Sequence, residues 1–213
     1  MIVIGLTGSI GMGKTATARL FAEEGLPVWD ADRAVHDLYA QGGAAVAPIR
    51  AAFSGAVRDD AVDRAELAAR LKDDPDAFAR LEAIVHPLVA EDRTRFLRRA
   101  QEGGARVAVL DVPLLFEVGA DALADAVVVA SAPQHIQRAR VLSRPGMDEA
   151  RFAALLERQM PDAHKRAKAD FVIDTQHGLD RARDQVRAVI AAVTAEGFRS
   201  RAQALDEGGE PAQ

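Results

Sequence analysis

The chain has 213 residues, of which 49% are hydrophobic, and carries a formal net charge of −5 at pH 7. This length and composition are enough for one α/β domain with a full core, and the acidic balance does not favour broad electrostatic binding to nucleic acid or to an anionic membrane. The lack of Cys excludes disulfides, thiol catalysis and thiolate metal sites. No run approaches about 18 apolar residues, so no membrane-spanning helix is predicted. A core strand begins at Met1 with no basic segment and apolar stretch ahead of it, and we therefore expect a cytoplasmic protein.

The first predicted elements are a buried strand over residues 1–6 and a helix over residues 14–24. Between them, residues 8–15 read Gly-Ser-Ile-Gly-Met-Gly-Lys-Thr and match the phosphate-loop pattern Gly-x-x-x-x-Gly-Lys-Ser/Thr. Such a loop turns its backbone N–H groups toward the phosphates of a nucleoside triphosphate, while Lys14 adds a positive charge and the Thr15 hydroxyl can ligate Mg²⁺. The alternative is a Gly-rich turn that binds nothing.

The next elements predict a second strand and then a helical insertion. Residues 26–30 form a strand that ends in acid, and a helix follows over residues 32–39. Residues 44–105 contain no convincing core strand. The insertion shows helical patterns over residues 45–53, 63–72 and 75–101.

The second half of the chain alternates between strands and helices, which predicts a parallel sheet of five strands with its ligands at their carboxyl ends. The remainder, residues 198–213, reads as a disordered tail. The predicted strands cover residues 106–111, 126–130 and 170–174, and the predicted helices cover residues 134–143, 148–159, 161–168 and 178–196.

Several acids fall at predicted strand ends. Asp111 closes a strand and could hold Mg²⁺ directly or through water, or it could cap a helix. Asp30 and Asp32 follow the second strand, where a carboxylate could accept the proton of an attacking hydroxyl or cap a helix. Spacing alone does not choose between these two. His86, before Pro87, interrupts a helical pattern and could be structural or contact a ligand.

An arginine row follows the fourth predicted strand. Arg138, Arg140 and Arg144 lie on one predicted helix and at its end. They could close over a transferring phosphoryl group and stabilise its charge. The alternative is a solvated helix face that pairs with Glu149 and Glu157.

Taken together, the motifs resemble those of the dephospho-coenzyme A kinase family over nearly the whole chain. The phosphate loop alone marks only a superfamily, whereas the combination in this order is specific. The motifs are residues 5–15, Asp30-Ala31-Asp32, Val85-His86-Pro87-Leu88, Asp111-Val112-Pro113-Leu114-Leu115-Phe116-Glu117, Arg144-Pro145-Gly146-Met147, Arg158-Gln159-Met160 and residues 169–174.

The resemblance implies ATP-dependent phosphorylation of the ribose 3′-hydroxyl of dephospho-coenzyme A, the last step of coenzyme A synthesis, with Mg²⁺ as cofactor. It implies an α/β, P-loop kinase-like fold and a monomer or weak homo-oligomer without nucleic-acid or membrane partners. The implied parts are a nucleotide-binding core (1–43, 106–132 and 169–197), a helical coenzyme A domain (44–105) and an Arg-bearing lid (133–168).

The resemblance also implies roles for single residues. Asp32 becomes the catalytic base and an acceptor contact, and Asp30 ends its strand. Lys14 and Arg138 act in catalysis. ATP is bound by Gly11, Met12, Gly13, Lys14, Thr15, Ala16 and Arg144, the acceptor is contacted by His86, Leu114, Leu115 and Glu117, and Mg²⁺ is held by Thr15 and Asp111.

The sequence supports three rival functions less well. Another small-molecule kinase would share the loop and differ in residues 44–105. A regulatory GTPase should carry Asn-Lys-x-Asp, which is absent from the sequence, and the only Asp-x-x-Gly lies at residues 206–209 in the predicted tail. A catalytically dead scaffold conflicts with the presence of Lys14, Thr15, Asp32 and Asp111.

Overall fold

A computed structural model describes residues 1–201 and 203. Its main sheet has five strands, which are β1 (Ile2–Thr7), β2 (Val28–Asp30), β5 (Val107–Asp111), β6 (Ala126–Ser131) and β7 (Phe171–Asp174). Their order in the sheet is β2-β5-β1-β6-β7, and β1 pairs in parallel with both β5 and β6. The edge strand β7 is parallel to β6. The predicted parallel five-stranded α/β sheet is therefore confirmed.

Helices cover both faces of the sheet, as the continuous apolar strands require. Adjacent residues of β6 point to opposite faces: Val128 joins the core cluster of Phe21, whereas Val127 joins that of Leu115. The helices are α1 (Lys14–Glu23), α2 (Ala31–Tyr39), α3 (Val46–Ala52), α4 (Arg64–Asp73), α5 (Ala77–Glu102), α6 (Gln134–Leu142), α7 (Glu149–Glu157), α8 (Asp162–Lys168) and α9 (Leu179–Thr194), with a 3₁₀ helix at Ala120–Leu123.

The chain divides into two compact units. One joins Met1–Trp29 to the described residues from Ala100 onward, and the other is Asp30–Arg99. The second unit begins and ends earlier than the predicted insertion over residues 44–105. It has its own apolar cluster, which includes Leu38, Ile49 and Phe53.

Within the second unit, the only strands among the described residues form a short hairpin, β3 (Val57–Arg58) with β4 (Ala61–Val62). This hairpin is separate from the main sheet, which agrees with the prediction that the segment contributes no core strand. The helix predicted over residues 75–101 is confirmed as α5, but the expected interruption of its pattern at His86-Pro87 is wrong, because α5 continues through Pro87. A proline can be carried inside a long helix at the cost of one backbone hydrogen bond, often with a kink.

The predicted tail begins too early. Phe198 packs against the core, and the Arg201 guanidinium donates to the Asp170 carboxylate at 2.8 Å. Residues 202 and 204–213 of that predicted tail lie outside the described residues. Within residues 1–201 and 203, no helix has the length and apolar character needed to span a membrane.

Candidate active site

The loop between β1 and α1 needs glycine at several positions. Gly11 and Gly13 have φ values of +77° and +90°, in the left-handed region that other residues rarely adopt. A Cβ atom on Gly13 would also lie 2.8 Å from Thr175 Oγ1, and one on Gly8 would lie 2.7 Å from the Ala130 carbonyl oxygen. The glycines of the sequence motif are therefore required both by backbone conformation and by close packing.

The protein itself bonds every backbone carbonyl of residues 9–13. Two of the donors are backbone N–H groups inside the loop and α1, and three are side chains from later in the chain. The bonds run from Met12 N–H to Ser9 O (3.1 Å), Gln137 Nε2 to Ile10 O (2.8 Å), Arg140 Nη1 to Gly11 O (3.4 Å), Thr175 Oγ1 to Met12 O (2.8 Å) and Thr17 N–H to Gly13 O (3.0 Å).

The N–H groups of the loop have the opposite character. Those of Gly11 and Gly13 make no hydrogen bond within the described part of the chain. The N–H groups of residues 14–16 form the first turn of α1, where a helix offers no acceptor of its own. Free N–H groups at a helix N-terminus form an anion site. The geometry therefore suits a phosphate group.

Lys14 and Asp111 meet next to this loop. The Lys14 ammonium lies 2.6 Å from Asp111 Oδ1, and the Asp111 side chain is only 3% exposed. Their approach follows from the sheet, because Asp111 ends β5 opposite Leu6 of β1. Lys14 can therefore exchange a buried carboxylate for a phosphate oxygen by moving its flexible stem.

The two predicted metal ligands offer oxygen donors of the kind that Mg²⁺ prefers. Thr15 is exposed at the start of α1, and Asp111 lies at the adjacent strand end. No group of three or more His, Cys, Asp or Glu residues suited to a metal occurs within residues 1–201 and 203. Thr15 and Asp111 thus fit an ion that takes its remaining ligands from phosphate and water.

The arginines in α6 and shortly after it differ in their placement. The Arg138 side chain is 61% exposed and forms an ion pair with Glu149, the surface arrangement that the sequence left as the alternative. Arg144 is exposed and forms no ion pair with another described residue. Arg140, which was not selected as a site residue, contacts the loop. The sequence feature that could have selected Arg140 is its spacing from Gln137, since residues three apart share a helix face.

The segment after β5 corrects one predicted acceptor contact. Leu115 has no exposed surface and lies in the core, so it is not available to a ligand in this conformation. The neighbouring Leu114 is 37% exposed. Sequence alone could not separate these two because both are leucines beside a strand end.

Glu117 in the same segment forms an ion pair with Lys165 at 2.9 Å, and Lys165 is fully buried. Glu117 also accepts a hydrogen bond from the Met160 N–H at 2.8 Å. Burial raises the pKa of Glu117, but the bonds from Lys165 and Met160 outweigh burial and leave the pKa below its ordinary value of 4.5. Glu117 therefore joins the strand-end segment to the region of α8.

The remaining predicted residues belong to the unit Asp30–Arg99. The Asp30 carboxylate accepts from Arg33 N–H at 3.0 Å and caps α2, which explains its position. Asp32 is exposed in the first turn of α2, and its carboxylate makes no bond to any other described residue. His86 is exposed on α5, with Nε2 3.9 Å from Glu82.

Comparison with known proteins identifies the family. A family model described as dephospho-CoA kinase matches residues 2–181. The chain belongs to the dephospho-CoA kinase family. It is 55% identical to the dephospho-CoA kinase of Mesorhizobium japonicum over 190 residues, which cover 89% of this chain and 95% of the relative. It is also 55% identical to the dephospho-CoA kinase of Agrobacterium fabrum, with 89% and 97% covered.

Solved structures agree on the fold of this dephospho-CoA kinase family member. TT1252 from Thermus thermophilus matches with a TM-score of 0.78 and 32% identity, covering 91% of this chain and 98% of that one. The dephospho-CoA kinase of Campylobacter jejuni matches with a TM-score of 0.67 and 22% identity, covering 90% and 96%. The P-loop kinase-like fold expected from the sequence is therefore confirmed.

Proposed function

We propose that this chain transfers the γ-phosphoryl group of ATP to the ribose 3′-hydroxyl of dephospho-coenzyme A, giving coenzyme A and ADP. The supporting family relationship extends over residues 2–181. The observation that carries the proposal is the arrangement of the loop: its carbonyls are bonded by the protein, and the N–H groups of Gly11 and Gly13 remain for an anion.

In the proposed ATP complex, the N–H groups of residues 11–16 surround the triphosphate. Met12 contributes only its backbone, because its side chain is 1% exposed and lies in the core. Lys14 leaves Asp111 and bridges the β- and γ-phosphates, where its charge stabilises the transition state. This exchange removes the ion pair from Asp111 at the moment when the phosphates arrive.

We propose Thr15 and Asp111 as the protein ligands of Mg²⁺. A bound Mg²⁺ would neutralise charge on the β- and γ-phosphates during transfer. Thr15 would ligate the ion through its hydroxyl oxygen and Asp111 through a carboxylate oxygen, directly or through water. Their contribution is to hold the triphosphate in one orientation.

For the acceptor, we propose Asp32 as the general base. Its carboxylate is exposed and makes no bond within residues 1–201 and 203, so it can orient the 3′-hydroxyl and accept its proton. We retain His86, Leu114 and Glu117 as acceptor contacts. We no longer propose Leu115, because it has no exposed surface.

The proposed lid over ATP carries Arg138 and Arg144. To reach a phosphate, Arg138 must exchange its exposed ion pair with Glu149 for the phosphoryl oxygens, and such a surface pair costs little to break. Closing the lid would exclude water, so that the phosphoryl group passes to the acceptor rather than to a water molecule.

The experiment measures ADP release from ATP and Mg²⁺ with and without dephospho-coenzyme A, together with the mass of the product. We expect strong stimulation and a product heavier by one phosphate. The matched control is the 3′-deoxy analogue of dephospho-coenzyme A, which should give neither. ATP binding without stimulation, or turnover of the 3′-deoxy analogue, would remove the proposed acceptor. The cytoplasmic location stays a prediction. The oligomeric state, a monomer or weak homo-oligomer, also stays a prediction, and light scattering can measure it.

A further inference from the structure

Three side chains outside the proposed transfer chemistry hold the phosphate loop from behind. Thr175 follows β7, is 7% exposed, and donates from Oγ1 to the Met12 carbonyl oxygen. Gln137 of α6 is 4% exposed and donates to the Ile10 carbonyl oxygen. Arg140 of α6 donates to Thr175, from Nη1 to Oγ1 at 2.9 Å and from Nη2 to the carbonyl oxygen at 2.7 Å. We call Gln137, Arg140 and Thr175 the loop clasp.

The carbonyls that the loop clasp holds determine where two N–H groups point. The carbonyl of one residue and the N–H of the next belong to the same planar, trans peptide and point in opposite directions. A bond from Thr175 to the Met12 carbonyl therefore turns the Gly13 N–H to the other side. The bond from Gln137 to the Ile10 carbonyl does the same for the Gly11 N–H.

Neither of these two N–H groups has a partner within residues 1–201 and 203. Both belong to glycines with positive φ, where the backbone has more accessible conformations than at other residues. Without external bonds, either peptide could rotate and present its carbonyl oxygen to a phosphate. A carbonyl in that place would repel the anion.

We propose that Gln137, Arg140 and Thr175 are positioning residues for ATP, which orient the N–H groups of Gly11 and Gly13 through the carbonyls of Ile10 and Met12. Arg140 acts on Thr175, because its two bonds fix the hydroxyl and the backbone of that residue. The inference rests on the proposed ATP site and gives these residues a role that needs no contact with the nucleotide.

The test replaces Thr175 by Val, which keeps the shape and removes the hydroxyl. We expect the KM for ATP to rise about tenfold, the size of one lost buried hydrogen bond with its acceptor left unpaired. The KM for dephospho-coenzyme A should stay within about twofold. Thr175→Ser keeps the hydroxyl and should restore the KM for ATP.

The matched control is Thr194→Val, which removes a hydroxyl that donates to the Ile190 carbonyl oxygen at 2.7 Å on α9. Its KM for ATP should equal that of the wild type. Arg140→Lys gives a second, milder perturbation. A lysine cannot make both bonds of the guanidinium fork, so the KM for ATP should rise several-fold. Because the two residues act as one unit, the double variant should be little worse than the poorer single variant.

The outcomes separate the inference from the proposed function. A folded wild type without turnover of ATP and dephospho-coenzyme A overturns the proposed function. An active wild type with an unchanged KM for ATP in Thr175→Val and Arg140→Lys overturns the loop clasp. A fall in thermal stability with equal changes in both KM values also overturns it, since this is the signature of a structural role. If Thr175→Val fails to fold, Arg140→Lys decides by the same two KM values.

Discussion

The phosphate loop and the unit Asp30–Arg99 place their proposed functional side chains in opposite environments. In the loop, Lys14 is paired with the buried Asp111, and the backbone carbonyls are bonded from several elements. In the other unit, Asp32 and His86 are exposed, and Asp32 has no partner among the described residues.

In our proposal, the two regions hold two kinds of functional residue. Residues of the loop serve folding and chemistry together, because the bonds that fix the loop also orient its N–H groups. Asp32 is proposed to serve chemistry without a visible part in folding. Substitution in the loop should therefore change stability and turnover together, whereas substitution of Asp32 should change turnover alone.

The largest effect is expected for Asp32→Asn, which removes the proposed base. We expect kcat to fall about 1,000-fold, within the range of general-base catalysis. The free energy of unfolding should change by less than about 1 kcal/mol, because the side chain is exposed and its helix-terminus interaction is weak. Steady-state kinetics measure kcat, and urea unfolding measures the free energy of unfolding. Asp37→Asn, an exposed acid on the same helix, is the control. A variant with wild-type kcat would remove Asp32 from the role of base.

Lys14→Met should affect both properties. We expect kcat/KM for ATP to fall about 100-fold through loss of transition-state stabilisation. The free energy of unfolding should fall by about 1–3 kcal/mol, because the buried Asp111 loses a charged partner. The double variant Lys14→Met with Asp111→Asn should recover most of the stability and none of the turnover. If Lys14→Met is as stable as the wild type, the contrast between the two regions fails.

Lys165→Met tests a buried ion pair that makes no phosphate contact in our proposal. We expect the free energy of unfolding to fall by about 1–3 kcal/mol, because Glu117 loses its partner. The KM for ATP should stay within about twofold. Lys168→Met, on the same helix but exposed, should be close to the wild type in both. A large rise in the KM for ATP would contradict this expectation and show that the pair, like the loop, affects both stability and turnover.

The smallest effect concerns acid. The pKa of Glu117 lies below 4.5 in the folded protein, so its bonds stabilise the fold above about pH 4.5 and are lost as pH falls through the lowered pKa. Glu117→Gln should therefore lose less stability than the wild type between about pH 7 and pH 4. Urea unfolding at both pH values measures this. Equal losses would show that Glu117 contributes nothing to acid sensitivity.

Much of the fold was predictable because the signals are local. Apolar runs closed by Asp predicted the strands that contain Asp30, Asp111 and Asp174, and the phosphate-loop pattern located the start of α1. The helical pattern over residues 75–101 predicted the extent of α5, whereas the expected interruption at Pro87 was wrong. Propensity alone favours a helix break at proline, and tertiary packing can override it.

The site was predictable in type more than in detail. The sequence identified an arginine row but could not tell which member faces the loop, because that depends on where α6 packs. Arg138 pairs with Glu149 at the surface, whereas Arg140, two residues later, reaches Thr175 from a different face of the helix. Likewise, Leu114 and Leu115 differ only in the face of the segment on which each lies. Such distinctions require the tertiary structure.

The most direct test is an NMR titration of ¹⁵N-labelled protein with Mg²⁺ and a non-hydrolysable ATP analogue. The amide protons of Gly11 and Gly13 should shift strongly downfield, because they have no acceptor within the described chain before binding. The Ile10 amide lies outside the proposed contact set and already donates to Gln159, so it should shift little. Saturable binding without shifts at Gly11 and Gly13, or with an equal shift at the Ile10 amide, would contradict the proposed phosphate site.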